Sequence, residues 1–444
     1  MNSTVLLSAP IGPTIARLAA PNVAAMFVML ATSGAEAWYV GQIGTQALAG
    51  LALVFPMFML MGMIAAGAVG GAVAGALAQA LGANDSERAE AIAVHAIVLS
   101  IVIGLLFSAV FLGFGAGIYT LLGGQAEVLE QALAFSDIFF AGNVLFWLVN
   151  MLSSIVRACG HMRMAGLALI VASVVQIAAG GLLVLGPGPL PEMGIAGAAI
   201  AILVGSAIGS VMLLDYLRRG RAGIALRPLS VRLSAALFVD LLKPGLLASI
   251  SPVSSIATVS IMTAFVARQG DAVLAGYGIG TRMEFLMIPV VFGIGAALIT
   301  LVGVHFGANE HDRGHRVAWT GALSAAAITG AIGLLLALVP DLWATLFSDD
   351  DAVREACRTY LRIVGPFYGF FGLGLCLFFA SQGARKLFWP VLAGMLRLGA
   401  IVLGGGLLVL YGTPDIASLS AIIALGLVAY GLGMAAVVRF GAWR

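Results

Sequence analysis

The sequence predicts an all-α membrane protein: twelve transmembrane helices in two parallel-repeat six-helix bundles around a central cleft. Three observations lead there. The chain of 444 residues is 61% hydrophobic and only 9% charged. It divides into twelve apolar runs long enough to cross a bilayer. Its two halves carry matched segments in the same order.

Composition excludes most alternatives. Soluble globular proteins carry about 25% charged residues, and 42 charged side chains cannot cover a soluble chain of 45.4 kDa. A soluble enzyme, a disordered chain and a disulfide scaffold are therefore excluded. A net charge of +2 makes no case for a nucleic-acid partner. Cys159, Cys357 and Cys376 show neither metal nor disulfide spacing and read as buried small residues. The 58 glycines suit helices that pack closely in lipid. The first residues, MNSTVLLSAPIGPT, contain no basic stretch, so no cleaved signal is expected. Neither a phosphate-binding Gly-x-x-x-x-Gly-Lys loop nor a His-Glu-x-x-His helix is present, and the five histidines form no ligand set. No cofactor, metal site or enzymatic activity is expected.

A bilayer core takes about 20 apolar residues as a helix. Charges, prolines and glycine clusters punctuate the chain into runs at 15–39, 46–80, 91–115, 131–157, 164–186, 193–217, 242–267, 273–305, 316–340, 356–381, 387–411 and 416–438. With both termini in the cytoplasm, the inner segments hold sixteen of the 22 Lys and Arg residues, among them Arg88, Arg157, Arg218, Arg219, Arg221, Arg227, Arg232, Lys243, Arg313 and Arg444. The outer segments hold Arg268, Arg354, Arg358 and Arg362. Such a bias orients a polytopic protein with its basic loops inside. The basic segment 218–241 reads as a cytoplasmic linker between two bundles, 1–217 and 242–444.

The halves match internally. LGANDSERA (81–89) follows the second run and FGANEHDRG (306–314) follows the eighth, at an offset of 225. GTQALAG (44–50) matches GDAVLAG (270–276), and ACGHMRM (158–164) matches SQGARKL (381–387) more weakly, aligning Gly160 with Gly383. Leu18–Pro21 matches Leu241–Pro244. Six spans per half is an even number, so both halves enter the membrane in the same direction and pair about an axis along its normal, as parallel-repeat transporters do. The GAN segments themselves read as the end of one helix and the cap of the next. For Arg88 and Arg313 a topological role and a gating role both stay open. Gly62, Ala66, Gly70 and Ala74, with Gly67, Gly71 and Gly75, form small-residue stripes for close packing.

Several motifs resemble the multidrug and toxic compound extrusion family. They are Glu36-Ala-Trp-Tyr-Val-Gly41-Gln-Ile-Gly44, Leu48-Ala-Gly50, Gly82-Ala-Asn84, Arg157-Ala-Cys-Gly160, the 186–199 stretch GPGPLPEMGIAGAA, Tyr277-Gly-Ile-Gly-Thr-Arg282 and Phe306-Gly-Ala-Asn309. The resemblance spans nearly the whole chain and rests on the order of the motifs within a twelve-span layout. It implies a cation-driven efflux antiporter of the inner membrane, exporting organic cations or amphiphiles by alternating access, with the lipid bilayer as its surroundings and a monomer as its expected form. It also implies that Glu36 fills the slot of a first-span coupling acid, usually Asp. Two departures follow from the same resemblance. Gln176-Ile-Ala-Ala-Gly180 stands where one branch carries Asn-x-x-x-Asp, and spans 242–267 and 356–381 lack the acids of sodium-coupled members. Protons are therefore the expected coupling ion, with Na+ as the alternative.

An ionisable group inside the membrane is expensive and marks a functional candidate. Here these are Glu36, Asp137, Arg282, Glu284 and Arg397. Glu36 lies fifteen residues beyond Pro21, about 22 Å at the helical rise. On position it is either an interfacial acid beside Trp38 and Tyr39 or a buried carboxylate, and the resemblance favours coupling. A carboxylate removed from water holds a proton more readily, and it binds either a proton or another cation, which is the minimum antiport needs. Gln176 and Asn150 either join helices by hydrogen bonds or help Glu36 bind a cation. Glu284, near the midplane of the eighth run, is either a substrate-cation acid or half of an ion pair. Arg282 and Asp137 complete the candidate substrate contacts, although Asp137 lies near enough to a span end to reach the interface. Arg397 needs an acidic partner that the sequence does not name. The competing readings are a flippase for a lipid-linked substrate or a metabolite exporter of the same superfamily. A major-facilitator carrier would need a basic Gly-x-x-x-Asp-Arg loop, and a channel would need a re-entrant filter; neither is present.

Overall fold

The computed structural model describes residues 3–186, 192–224, 226, 231–412, 414–441 and 443. Residues 187–191 of the motif after the fifth span, Arg227 of the basic linker and Arg444 lie outside them. Among the described residues every regular element is helical.

The helices follow the punctuation of the sequence. α1 (Ser3–Ser8) precedes α2 (Ile11–Ile43). α3 (Thr45–Gly62) passes through a π-helical turn, Met63–Val69, into α4 (Gly70–Gly82), and together they make the long second span. α5 (Ser86–Leu121), α6 (Ala126–Gly142), α7 (Val144–Ala158), α8 (Met162–Leu185) and α9 (Ile195–Arg218) follow. The second half contains α10 (Ala235–Ala267), α11 (Asp271–Gly307), α12 (His311–Leu338), α13 (Asp341–Ala344), α14 (Asp351–Val364), α15 (Tyr368–Gly383), α16 (Phe388–Tyr411) and α17 (Ile416–Phe440). Eleven stretches among the described residues are long and apolar enough to cross a membrane, and twelve when α6 and α7 count as one.

That pair departs from a straight span: it bends by 53° at Asn143. The cause is local. A backbone group freed by a bend cannot turn to water in lipid and must find a partner inside the protein. The buried Asn143 side chain supplies one, donating to the carbonyls of Gly104 and Phe140 at 3.2 Å and to Ser108 Oγ at 3.1 Å. The tenth span is likewise interrupted, by a 3-10 turn at Gly365–Phe367 between α14 and α15. Pro366 brings no N–H to the helical ladder there.

The contacts divide the chain into two units: Met1–Leu6 with Ala20–Gly245, and Leu7–Ala19 with Leu246–Arg444. The linker segment 218–241 belongs to the first. α2 and α10 therefore each begin in one unit and continue in the other.

The repeat is visible in the turns. α4 ends with Asn84 N–H bonded to Leu81 O and Asp85 N–H to Ala80 O, and α11 ends with Asn309 to Phe306 O and Glu310 to His305 O. Both asparagines adopt positive φ, 58° and 60°, the left-handed cap that closes a helix by 5→2 and 6→1 bonds. α7 and α15 close in the same way, but the left-handed residues are Gly160 and Arg385. The structural offset is again 225, so the turn pairs Gly160 with Arg385, whereas residue identity pairs it with Gly383. Backbone geometry is shared there although the side chains diverge. Close packing is also more selective than the small-residue stripe suggested. A Cβ at Gly70 would meet Ser154 Oγ at 2.5 Å, but one at Gly67 would meet open space.

The acidic stretch around 341–355 pairs with two nearby arginines. Arg354 pairs with Asp349 at 2.6 Å, and Arg358 with Asp341 at 2.7 Å and Glu355 at 3.2 Å.

Asparagine tolerates the left-handed region that alanine resists by about 1 kcal/mol. Asn84→Ala and Asn309→Ala are each expected to lower thermal stability in detergent by about that amount, while the glycine variants at both positions stay near wild type. Equal melting temperatures for the Ala and Gly variants would contradict this account of the turns.

Candidate functional site

In the first unit α2 presents Thr32, Glu36 and Tyr39 along one face, a spacing of four and then three residues that stacks side chains on a helix. α8 presents Gln176, Ile177, Gly180 and Val184, and α9 adds Ala198 and Ala201. These nine residues line a pocket of about 220 Å³, counting the space at its mouth. Glu36 is its one ionisable carboxylate. Gln176 Nε2 donates to Glu36 Oε2 at 3.3 Å. Thr32 spends its hydroxyl on Val28 O at 2.8 Å, inside its own helix. The remaining wall is mostly hydrocarbon.

Glycine decides the shape of that wall. The Tyr39 ring lies against Gly180 and Gly181, where an added Cβ would meet its atoms at 3.4 Å and 3.2 Å respectively. Trp38, by contrast, is 59% exposed and meets the Tyr39 ring edge-on at 5.4 Å. An amide beside a carboxyl group can serve both of its protonation states. The NH₂ donates to the carboxylate, and after an amide flip the carbonyl accepts from the acid. The Glu36–Gln176 pair can therefore take up and release a proton without leaving either state unbonded.

The second unit holds a different arrangement. Glu284 on α11 pairs with Arg397 on α16, Oε2 to guanidinium at 3.0 Å, with side-chain exposures of 14% and 11%. Tyr360 on α14 donates its hydroxyl to Glu284 Oε1 at 3.0 Å. Gly280, one turn before Glu284, leaves space for the Tyr360 ring, since a Cβ there would collide with it. Tyr277 meets the same ring edge-on at 5.6 Å, and the Arg397 guanidinium sits 5.9 Å from the centre of Phe371. A buried carboxylate held this way carries no free charge.

The structure brings Glu36 and Gln176 together and sets the other candidates apart. Asn150 is buried and turned to its own helix, donating to Phe146 O at 2.8 Å, and does not line the pocket. Arg282 is exposed, with its guanidinium 5.6 Å from the centre of the Phe347 ring and no ion pair to Glu284. Asp137 is exposed on α6. Sequence reasoning missed Tyr39 as a pocket wall and Tyr360 as a ligand of Glu284. It also left Arg397 without a partner, although a charge inventory held the answer. Glu284 is the sole acid among the five intramembrane charges that falls in the second half.

Comparison with known proteins agrees across the chain. The MatE family model matches residues 21–181 and 253–404, which include both carboxylates and their partners. The FAD transporter of Shewanella oneidensis is 26% identical over 382 residues, covering 85% of this chain and 82% of its own length. "Probable multidrug resistance protein YoeA" of Bacillus subtilis is 23% identical over 364 residues, covering 81% and 78%. The solved structure of a MOP superfamily transporter from Pyrococcus furiosus superposes with a TM-score of 0.89 at 22% identity, covering 98% of this chain and 97% of that one.

Breaking the Glu284–Arg397 pair from one side strands a buried charge, at a cost of about 3–5 kcal/mol. Arg397→Met is expected to destabilise the protein by that order, and Glu284→Gln with Arg397→Met together by clearly less. Thermal unfolding of the single and double variants in one detergent checks the coupling. Additive losses would show that the two residues are independent.

Proposed function

The chain belongs to the MatE family of membrane transporters, and from that premise we propose that it is an efflux antiporter. It exports organic cations or amphiphiles across the inner (plasma) membrane in exchange for protons, by alternating access, with both termini in the cytoplasm. The observation that carries this reading is the single carboxylate of Glu36 in a hydrocarbon-lined pocket, held by the amide of Gln176. A proton needs only that carboxylate. A sodium ion needs several oxygen ligands at once, and Glu36 is the one carboxylate among the residues that line the pocket.

In this reading Glu36 is the coupling residue and Gln176 its positioning partner. Outside, Glu36 takes a proton and the pocket becomes neutral. Inside, it gives the proton up, and the charge that returns favours a cationic cargo. In the second unit Glu284 serves cargo only when Arg397 yields it, so Glu284, Arg282 and Asp137 stand behind Glu36 as substrate contacts. A second reading, export of a metabolite, is favoured by the similarity to the Shewanella protein named as a FAD transporter.

Proteoliposomes loaded with a fluorescent organic cation and driven by a proton gradient or a sodium gradient in separate runs test the coupling. Proton-driven export is expected, and Glu36→Gln is expected to abolish it while the protein still elutes as a single folded species. Full activity of the Gln variant under both gradients would overturn the role of Glu36. A parallel run with FAD as cargo separates the two readings of the substrate.

A further inference from the structure

The repeated GAN turns place Arg88 and Arg313 four residues beyond Asn84 and Asn309. Their equivalence extends to what they hold. Arg313 donates to the carbonyl of Ala9 at 2.7 Å, two residues before α2 begins. Arg88 lies 3.8 Å from Asp240, on the second turn of α10. α2 and α10 are the two helices shared between the units, so each repeat arginine grips the start of a shared helix, at the end of the unit that the arginine bias assigns to the cytoplasm.

The first unit adds a histidine to this grip. His95, two turns beyond Arg88 on α5, is 1% exposed. Its Nδ1 lies 2.7 Å from the carbonyl of Ala91, a place only an N–H can occupy. Its Nε2 accepts the backbone N–H of Ser234, at 2.8 Å, on the residue just before α10. That bond needs a bare nitrogen. Phe238 of α10 packs on the imidazole with ring centres 4.7 Å apart. One proton on the ring satisfies both bonds, and a second would set N–H against N–H in a buried place.

The charged groups around the ring come from few elements. α5 itself carries Glu87, Arg88 and Glu90 within two turns, the linker carries Arg232, and the start of α10 carries Asp240 and Lys243. Of the other helices packed on α5, α4 carries no charge, and α7 carries Arg157, which donates to Ser153 and Ser154. α6 carries Glu127, Glu130 and Asp137, against the far end of α5.

We propose that Arg88 and His95 form a proton-sensitive clip on the start of α10, closed while His95 is neutral and opened when it takes a second proton. Arg313 on Ala9 is the counterpart at the start of α2. Its bond joins a guanidinium to a backbone carbonyl and needs no particular protonation state. The clip stands on residues that the Glu36 pocket does not use.

Hydrogen–deuterium exchange on the intact protein in lipid nanodiscs tests this, at about pH 7.5 and about pH 5.5, values on either side of the range where histidine side chains in general change charge. Rates are corrected for intrinsic exchange. Protection of the amides at 234–238 is expected to fall about tenfold at the lower pH, the order of one lost hydrogen bond. His95→Gln keeps an acceptor for the Ser234 N–H and cannot titrate in this range, so its protection is expected to stay the same at both values. His95→Ala is expected to be poorly protected at both; if it fails to fold, the glutamine comparison still decides. The same pH response in a Glu36→Gln background separates the clip from coupling. Wild-type protection that ignores pH, or a glutamine variant that loses it as wild type does, would overturn the proposal.

Discussion

A polar group inside a bilayer has no water to fall back on, and the rest of this structure follows from that constraint. It confines the backbone to helices. It allows a bend in the fourth span only where Asn143 supplies hydrogen bonds from its side chain. It also sorts the few intramembrane charges by what each has found as a partner. Glu284 has found Arg397 and Tyr360. Among the described residues Glu36 is bonded to a neutral amide. The same residue type is thus paired with a charge in one unit and with a neutral amide in the other.

Small residues act as the counterpart of this constraint. Lipid offers helices no hydrophobic drive to associate, so packing and internal hydrogen bonds must hold the bundle together. Gly280 leaves room for the Tyr360 ring that reaches Glu284, and Gly180 with Gly181 makes a shelf for Tyr39. In the first case a missing side chain lets a tyrosine hydroxyl reach a carboxylate, and in the second it lets a tyrosine ring join the wall of the Glu36 pocket. The glycine content thus shapes the surroundings of the two acids as well as the contacts between spans.

Much of the architecture was legible in the chain. Among the described residues eleven of the runs became helical spans and the remaining one the bent α6–α7 pair, because about 20 consecutive apolar residues have few other ways to satisfy their backbone in lipid. The GAN repeat was legible because its asparagines meet a specific backbone need, the left-handed cap. The weaker match at 158–164 and 381–387 was misregistered by two residues. There the turn is conserved in backbone only, with glycine at one copy and arginine at the other. The bend at Asn143 was hidden, since an asparagine in an apolar run looks the same whether it bonds a neighbouring helix or repairs a break.

By itself the sequence determined the layout of the apolar spans, the twofold repeat and the short inventory of charges within those spans. Only the tertiary structure decided which of those charges are spent. Glu284 and Arg397 are 113 residues apart, and Glu36 and Gln176 are 140. In a soluble helix the polar face shows which side looks outward. In lipid the outward and inward faces are both apolar, so the pattern along one span carries little information about which neighbour its polar residue meets. That information exists only once the helices are packed.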